Sequence, residues 1–161
     1  MRAPKVWSNL WHFLAFGFGT GLAKKAPGTW GTLAGLVVMP LLYLLPLIWA
    51  LVFIGLASIF GVWLCGRVAD DLGVHDHGGI VWDEMVGIWI TLILLPNTWQ
   101  WWVLGFILFR LLDILKPWPI SVLDRQVGGG VGIMVDDMLA GVIAAALLYA
   151  LWWADLPLLA A

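Results

Sequence analysis

The stretch HDHGGIVWDEMVGIWI, residues 75–90, runs from a polar turn directly into an apolar helix whose start carries Asp83 and Glu84 side by side. A charged side chain pushed toward hydrocarbon costs several kcal/mol unless it is paired, metal-bound or wetted, so two adjacent carboxylates there mark a functional candidate. Two later stretches repeat the pattern. FRLLDILKPWP, residues 109–119, puts Arg110, Asp113 and Lys116 at one end of an apolar helix, and IMVDDMLAG, residues 133–141, puts Asp136 and Asp137 at the start of another. The charged ends are expected to meet.

Working outward, the composition is that of an integral membrane protein rather than a water-soluble globule: 63% of the 161 residues are hydrophobic and 11% charged, with mean hydropathy +0.99. This length suits one domain, residues 1–161, with no room for a separate soluble lobe. The net charge of -2 gives no basic surface for nucleic acid, and membrane lipids are the expected surroundings. The one cysteine, Cys65, sits in an apolar run and can form no internal disulfide. No apolar core followed by a small-residue cleavage site appears near the N-terminus, so the first apolar span is expected to be retained.

Trp7, Leu10, Trp11 and Leu14 recur at helical spacing with Ser8, Asn9 and His12 between them, which predicts a helix lying along the membrane surface. GFGTGLAKKAPGTWGT, residues 17–32, follows. It is either a flexible connector or a glycine-rich turn whose free N–H groups, with Thr29 or Thr32 capping the next helix, suit a phosphate; Lys25, Gly28 and Thr29 are then its ligands. No charge occurs from Thr32 to Gly66, too long for one span and broken by Pro40 and Pro46, so the expected architecture is a helical hairpin with arms 32–45 and 47–66. A second hairpin, with arms 79–95 and 99–115 about Pro96 and Asn97, and a last span, 137–153, complete an all-α polytopic bundle. Asp83 and Glu84 have to lie inside their helix, because Met85 to Leu95 alone is about 16 Å long and does not cross.

Following the turns puts all eight Lys and Arg residues on one face, which the positive-inside rule makes cytoplasmic. Trp99, Trp101, Trp102, Trp152 and Trp153 read as the outer aromatic belt, and Trp7, Trp11, Trp30, Trp82 and Trp118 as the inner one. Five acids at one depth repel one another strongly without a metal or a proton. An oxygen-rich set suits Mg²⁺, with Asp83, Glu84, Asp113, Asp136 and Asp137 as candidate ligands and Asp83, Glu84, Asp113 and Asp137 as the catalytic group. Arg110 and Lys116 would clamp a phosphate. Duller alternatives stand beside each: an Arg110–Asp113 salt bridge, Asp136 as a helix cap, and hydrogen-bonded loop histidines at His75 and His77. Asp70 and Asp71 beside Arg67 read as a helix end, Asp124 and Arg125 are ambiguous, and the glycines of GGGVG, residues 128–132, fold over a phosphate or allow a tight turn.

The blocks GFGTGLAKKAPGTWGTLAG, VHDHGGIVWDEMVGIWI, FRLLDILKPWPI and GGVGIMVDDMLAG together closely resemble bacterial phosphatidylglycerophosphatase A, over about Trp11 to Leu148 and in the same order. The resemblance implies a Mg²⁺-dependent phosphatase of the bacterial inner membrane. It would convert phosphatidylglycerophosphate to phosphatidylglycerol and inorganic phosphate at the cytoplasmic face. The family pattern falls here on Asp83, Glu84, Arg110, Asp113, Lys116, Asp136 and Asp137, with Gly28 and Thr29 beside them. A small ion or proton transporter using the same acids as a relay is the alternative, but it needs ionisable groups near the midplane, and the far halves of the segments have none; an assembly subunit is a third reading.

Overall fold

The computed structural model describes residues 3–74 and 77–154; His75 and Asp76, singled out above, lie outside them. All regular structure among the described residues is helical. α1 (Leu10–Ala15) is short and leads through a 3-10 segment, Gly17–Leu22, to α2 (Pro27–Leu44). Then come α3 (Leu47–Leu72), α4 (Trp82–Leu92), α5 (Trp99–Leu115), the small α6 (Ile120–Gln126) and α7 (Gly129–Trp153). By length and composition α2, α3 and α7 can cross a membrane.

Local chemistry sets these limits. α2 starts at Pro27, whose fixed φ and missing N–H suit a first helical position, five residues before the expected start. It ends before Pro46, which forces Leu45 into extended backbone, ψ 147°. Gly73 closes α3 in the left-handed region, φ 70°, and its N–H bonds back to the Asp70 carbonyl, so α3 runs six residues past the expected Gly66. α7 starts at Gly129 rather than near 137. The glycines of residues 128–132 therefore enter a helix instead of a phosphate loop, and Asp136 stands too far along α7 to cap it. Neither threonine caps α2: its N-cap is Ala26, and the Thr32 hydroxyl donates to the Gly28 carbonyl at 2.8 Å. α6 had no signal in the hydrophobic pattern.

α4 is the hub. Only 11 residues long, it extends about 16 Å where the expected arm had 17 residues (79–95), and its sides pack on α2, α3, α5 and α7. A helix of that length buried on nearly every side behaves as a core element. Its polar groups find protein partners, as hydrocarbon demands. Trp89 Nε1 donates to the Gly35 carbonyl at 2.8 Å, Trp82 Nε1 to the Ala57 carbonyl at 3.1 Å, and the Tyr43 hydroxyl to the Leu92 carbonyl at 2.7 Å. Trp82 and Trp101 are thus core residues, 8% and 1% exposed, not belt residues; Trp7, Trp30, Trp99, Trp118 and Trp153 are exposed as a belt requires.

Backbones approach closely where α4 crosses α7: a Cβ on Gly141 would sit 2.6 Å from the Gly87 carbonyl oxygen. α2, α4 and α7 begin, and α3 and α5 end, at the same side of the bundle, which collects the charged residues. We predict that Gly141→Val lowers the unfolding midpoint in detergent by several degrees, for about 1–3 kcal/mol of overpacking. Gly55→Ala, whose added methyl meets nothing within 4 Å, should leave it unchanged or higher. Thermal scans of the two variants check this.

Candidate active site

Three elements deliver the carboxylates. The first turn of α4 carries Asp83 and Glu84, the last turn of α5 carries the half-buried Asp113, and α7 carries Asp137 two turns into the helix. Asp83, Glu84 and Asp137 each bring one oxygen to within 4.8 Å of the others. Asp113 interacts with both Glu84 and Asp137 from the α5 side. So four of the five acids expected to converge do so.

The fifth does not join them. Neighbouring residues on a helix point about 100° apart, and Asp136 accordingly faces the connection after α5. There its Oδ2 lies 2.5 Å from Lys116 Nζ, which also pairs with Asp124. Lys116 holds the left-handed C-cap position of α5, φ 42°, and this backbone turn aims its side chain at both acids. Burial works to lower the Lys116 pKa, but the hydrogen bonds and charges of Asp124 and Asp136 outweigh it and hold the ammonium above its ordinary value, so it stays cationic throughout the neutral range. Nothing in the sequence singled out Asp124, because the pairing depends on the α6 turn.

Arg110 is the second cation. Its Nη1 lies 2.5 Å from Asp113 Oδ2, 3.7 Å from Glu84 Oε1 and 3.5 Å from Thr32 Oγ1, and both members of the Arg110–Asp113 pair are only 13% exposed. The salt bridge expected as the dull alternative is therefore present, and it is tied into the acidic cluster rather than standing apart. Gly28, in the first turn of α2, touches the same group: a Cβ there would overlap Glu84 Oε1 and come within 3.0 Å of the Arg110 guanidinium. Thr29 is half-buried in that turn with its N–H bonded to the Ala26 carbonyl. Lys25 is exposed before it, with no ion pair among the described residues to the cluster. His77 Nδ1 accepts the Gly79 N–H at 3.0 Å, as a loop histidine does.

The cluster is chemically incomplete by itself. Asp83 Oδ1, Glu84 Oε2 and Arg110 Nε are buried without a hydrogen-bond partner among the described residues, and such orphaned groups cost free energy unless a ligand meets them. The donors of the triad are all carboxylate oxygens, the set a hard divalent cation takes. Two ligands of one ion bound at about 2.1 Å lie at most about 4.2 Å apart, so three oxygens within 4.8 Å of one another come into range of a shared ion by drawing closer together.

Comparison with known proteins identifies the family. A family model described as Phosphatidylglycerophosphatase A matches residues 13–152, a range that includes every residue named in the cluster. The chain is 54% identical over 145 residues to the Phosphatidylglycerophosphatase A of Escherichia coli strain K12, covering 88% of this chain and 83% of that one. To the Phosphatidylglycerophosphatase A of Haemophilus influenzae it is 48% identical over 145 residues, covering 88% and 89%. No solved structure matches it. Since the matched range runs from α1 to the end of α7, over an acidic cluster drawn from α4, α5 and α7, the chain belongs to the phosphatidylglycerophosphatase A family.

Proposed function

We propose that the protein is a Mg²⁺-dependent lipid phosphatase of the bacterial inner membrane, which hydrolyses phosphatidylglycerophosphate to phosphatidylglycerol and inorganic phosphate at the cytoplasmic face. The observation that carries this reading is the triad of half-buried Asp83 and Glu84 with buried Asp137, which has orphaned oxygens and is set beside an arginine whose Nε is also without a partner among the described residues. Membership of the family supplies the substrate, and the charge asymmetry of the chain supplies the side.

Asp83, Glu84 and Asp137, with Asp113 adjacent, would hold the divalent cation, which when bound polarises a phosphoryl oxygen and lowers the pKa of a water. The chain's own residues do the rest. Arg110, fixed by Asp113 on one edge, has Nε free to grip a phosphate oxygen, and its planar charge opposes the negative charge that builds up on the transferring group. Glu84 Oε2, buried without a hydrogen-bond partner among the described residues, would take a proton from the attacking water. The bond between phosphorus and the glycerol oxygen breaks, that oxygen gains a proton to become the phosphatidylglycerol hydroxyl, and the phosphoryl group leaves on the water oxygen. Gly28, having no side chain, lets Glu84 and Arg110 lie directly against the first turn of α2. Lys116, tethered by Asp124 and Asp136, contributes cationic field at the mouth and orders the α5–α7 connection.

Phosphate release from phosphatidylglycerophosphate tests the reading. Asp137→Asn and Glu84→Gln should each lower kcat by about 10²-fold or more, and chelation of divalent ions should abolish turnover reversibly. Calorimetric titration of Mg²⁺ should show binding to the wild type and its loss in Asp137→Asn. Gly28→Ala should raise KM and lower kcat together, because its methyl displaces both Glu84 and Arg110. Full activity of Asp137→Asn, or turnover indifferent to chelator, would remove the metal-dependent mechanism, and no phosphate release from the wild type would leave the transporter as the reading to pursue.

A further inference from the structure

The site lies within a ring of helices around α4, and a lipid's phosphate has to reach it while its acyl chains stay in hydrocarbon. The ring runs α2, α3, α7, α5. α3 packs on α7, where a Cβ on Gly130 would overlap the Val62 carbonyl and one on Gly61 would sit 2.6 Å from Met134 Sδ. α5 packs on α7 as well, with α6 laid against α7 below. α2 and α3 are weakly packed on each other, but at the charged end α1 and the 3-10 segment cover that side. Among the described residues, the boundary left without a covering element at the level of the acids is the weakly packed seam between α2 and α5.

Along this seam two side-chain contacts join the helices at separate levels. Arg110 meets Thr32 at 3.5 Å beside the site. Farther along, the Tyr43 and Trp102 rings stack with centroids 6.4 Å apart. Between these levels lie only apolar side chains. Leu36 is one turn beyond Thr32 on α2, and Phe106 falls midway between Trp102 and Arg110 on α5, both half-buried. Leu33 and Val103 form the rim, 39% and 47% exposed. Exposure of apolar residues is ordinary in a membrane protein, so it carries no weight here. What distinguishes this seam is that it ends on Arg110, whose Nε has no hydrogen-bond partner among the described residues.

Resting on the phosphatase reading, we propose that the α2–α5 seam is the lateral entrance for the lipid, with the phosphate at Arg110 and the acyl chains lying between Leu33 and Leu36 on one side and Val103 and Phe106 on the other. The competing apolar groove, of about 350 Å³ and lined by Leu51, Ile54, Ile90 and Val142 among others, opens between α3, α4 and α7 in the far half of the bundle. It does not communicate with the acids through any residue that lines it.

A phosphonate analogue of phosphatidylglycerophosphate, with a photoactivatable diazirine in an acyl chain, tests this on the intact protein in bilayers. Labelled peptides from α2 and α5 are expected; labels on α3 and α7 instead, or no specific label, would overturn the seam. In parallel, Leu33→Trp and Val103→Trp should raise KM about tenfold for the dipalmitoyl substrate while leaving kcat, and hydrolysis of a water-soluble dibutyryl substrate, as in wild type. Equal losses on both substrates, or on neither, would count against the seam. Wild-type protein that releases phosphate from neither substrate would instead defeat the phosphatase reading beneath it.

Discussion

Mutual repulsion among buried carboxylates is the constraint around which this chain is organised. Asp83, Glu84, Asp113 and Asp137 are gathered into a small volume from which water is largely excluded. Like charges at such separations cannot all persist without compensation. The protein supplies part of it through Arg110, held at 2.5 Å from Asp113, and leaves part unmet in the orphaned oxygens of Asp83 and Glu84. Packing free energy from the apolar bundle has to sustain that residual cost. The tight crossing of α4 on α7 at Gly87 and Gly141 supplies some of it within a few ångströms of the acids.

The two cationic centres do different jobs because the backbone separates them. Arg110 sits within α5 and is enclosed by the carboxylates, so its position depends on α4, α5 and α2 together. Lys116 sits beyond the helix end and is held by one acid from α6 and one from α7. A rearrangement of the α5–α7 connection would therefore move Lys116 and Asp124 while leaving the Arg110–Asp113 pair in place. The adjacent acids Asp136 and Asp137 thus belong to two separate structural groups despite being neighbours in sequence.

Much of this was legible from the chain because hydrocarbon makes charge conspicuous. The convergence of acids from three helices and the presence of Arg110 beside them follow from polar residues at apolar helix ends, whereas Gly28 was placed beside them by the family resemblance. Less legible was anything set by orientation or by depth. Hydrophobicity marks Trp82 and Trp101 as it marks any tryptophan, and only tertiary packing decides that they are core rather than interface. A glycine run reads as loop until a partner helix makes small residues worth having, which is why α7 begins at Gly129 and not beside the aspartates. Asp136 could not be told from Asp137 before the rotation of α7 was known. The 11-residue extent of α4 was hidden because Ile93 to Leu95 are as apolar as the helix they follow.

The direction in which α4 runs has its own consequence. Its peptide dipoles add, so that the end bearing Asp83 and Glu84 is the positive one, while the terminal carbonyls at Leu92 and Leu95 are met by the Tyr43 hydroxyl at 2.7 and 3.2 Å. Polarity and position are coupled: the same acids grafted onto the opposite terminus would confront a negative pole. An anion-handling centre of this kind can be rebuilt in another bundle only if the donor helix enters it amino end first and something hydroxylic waits at the other end.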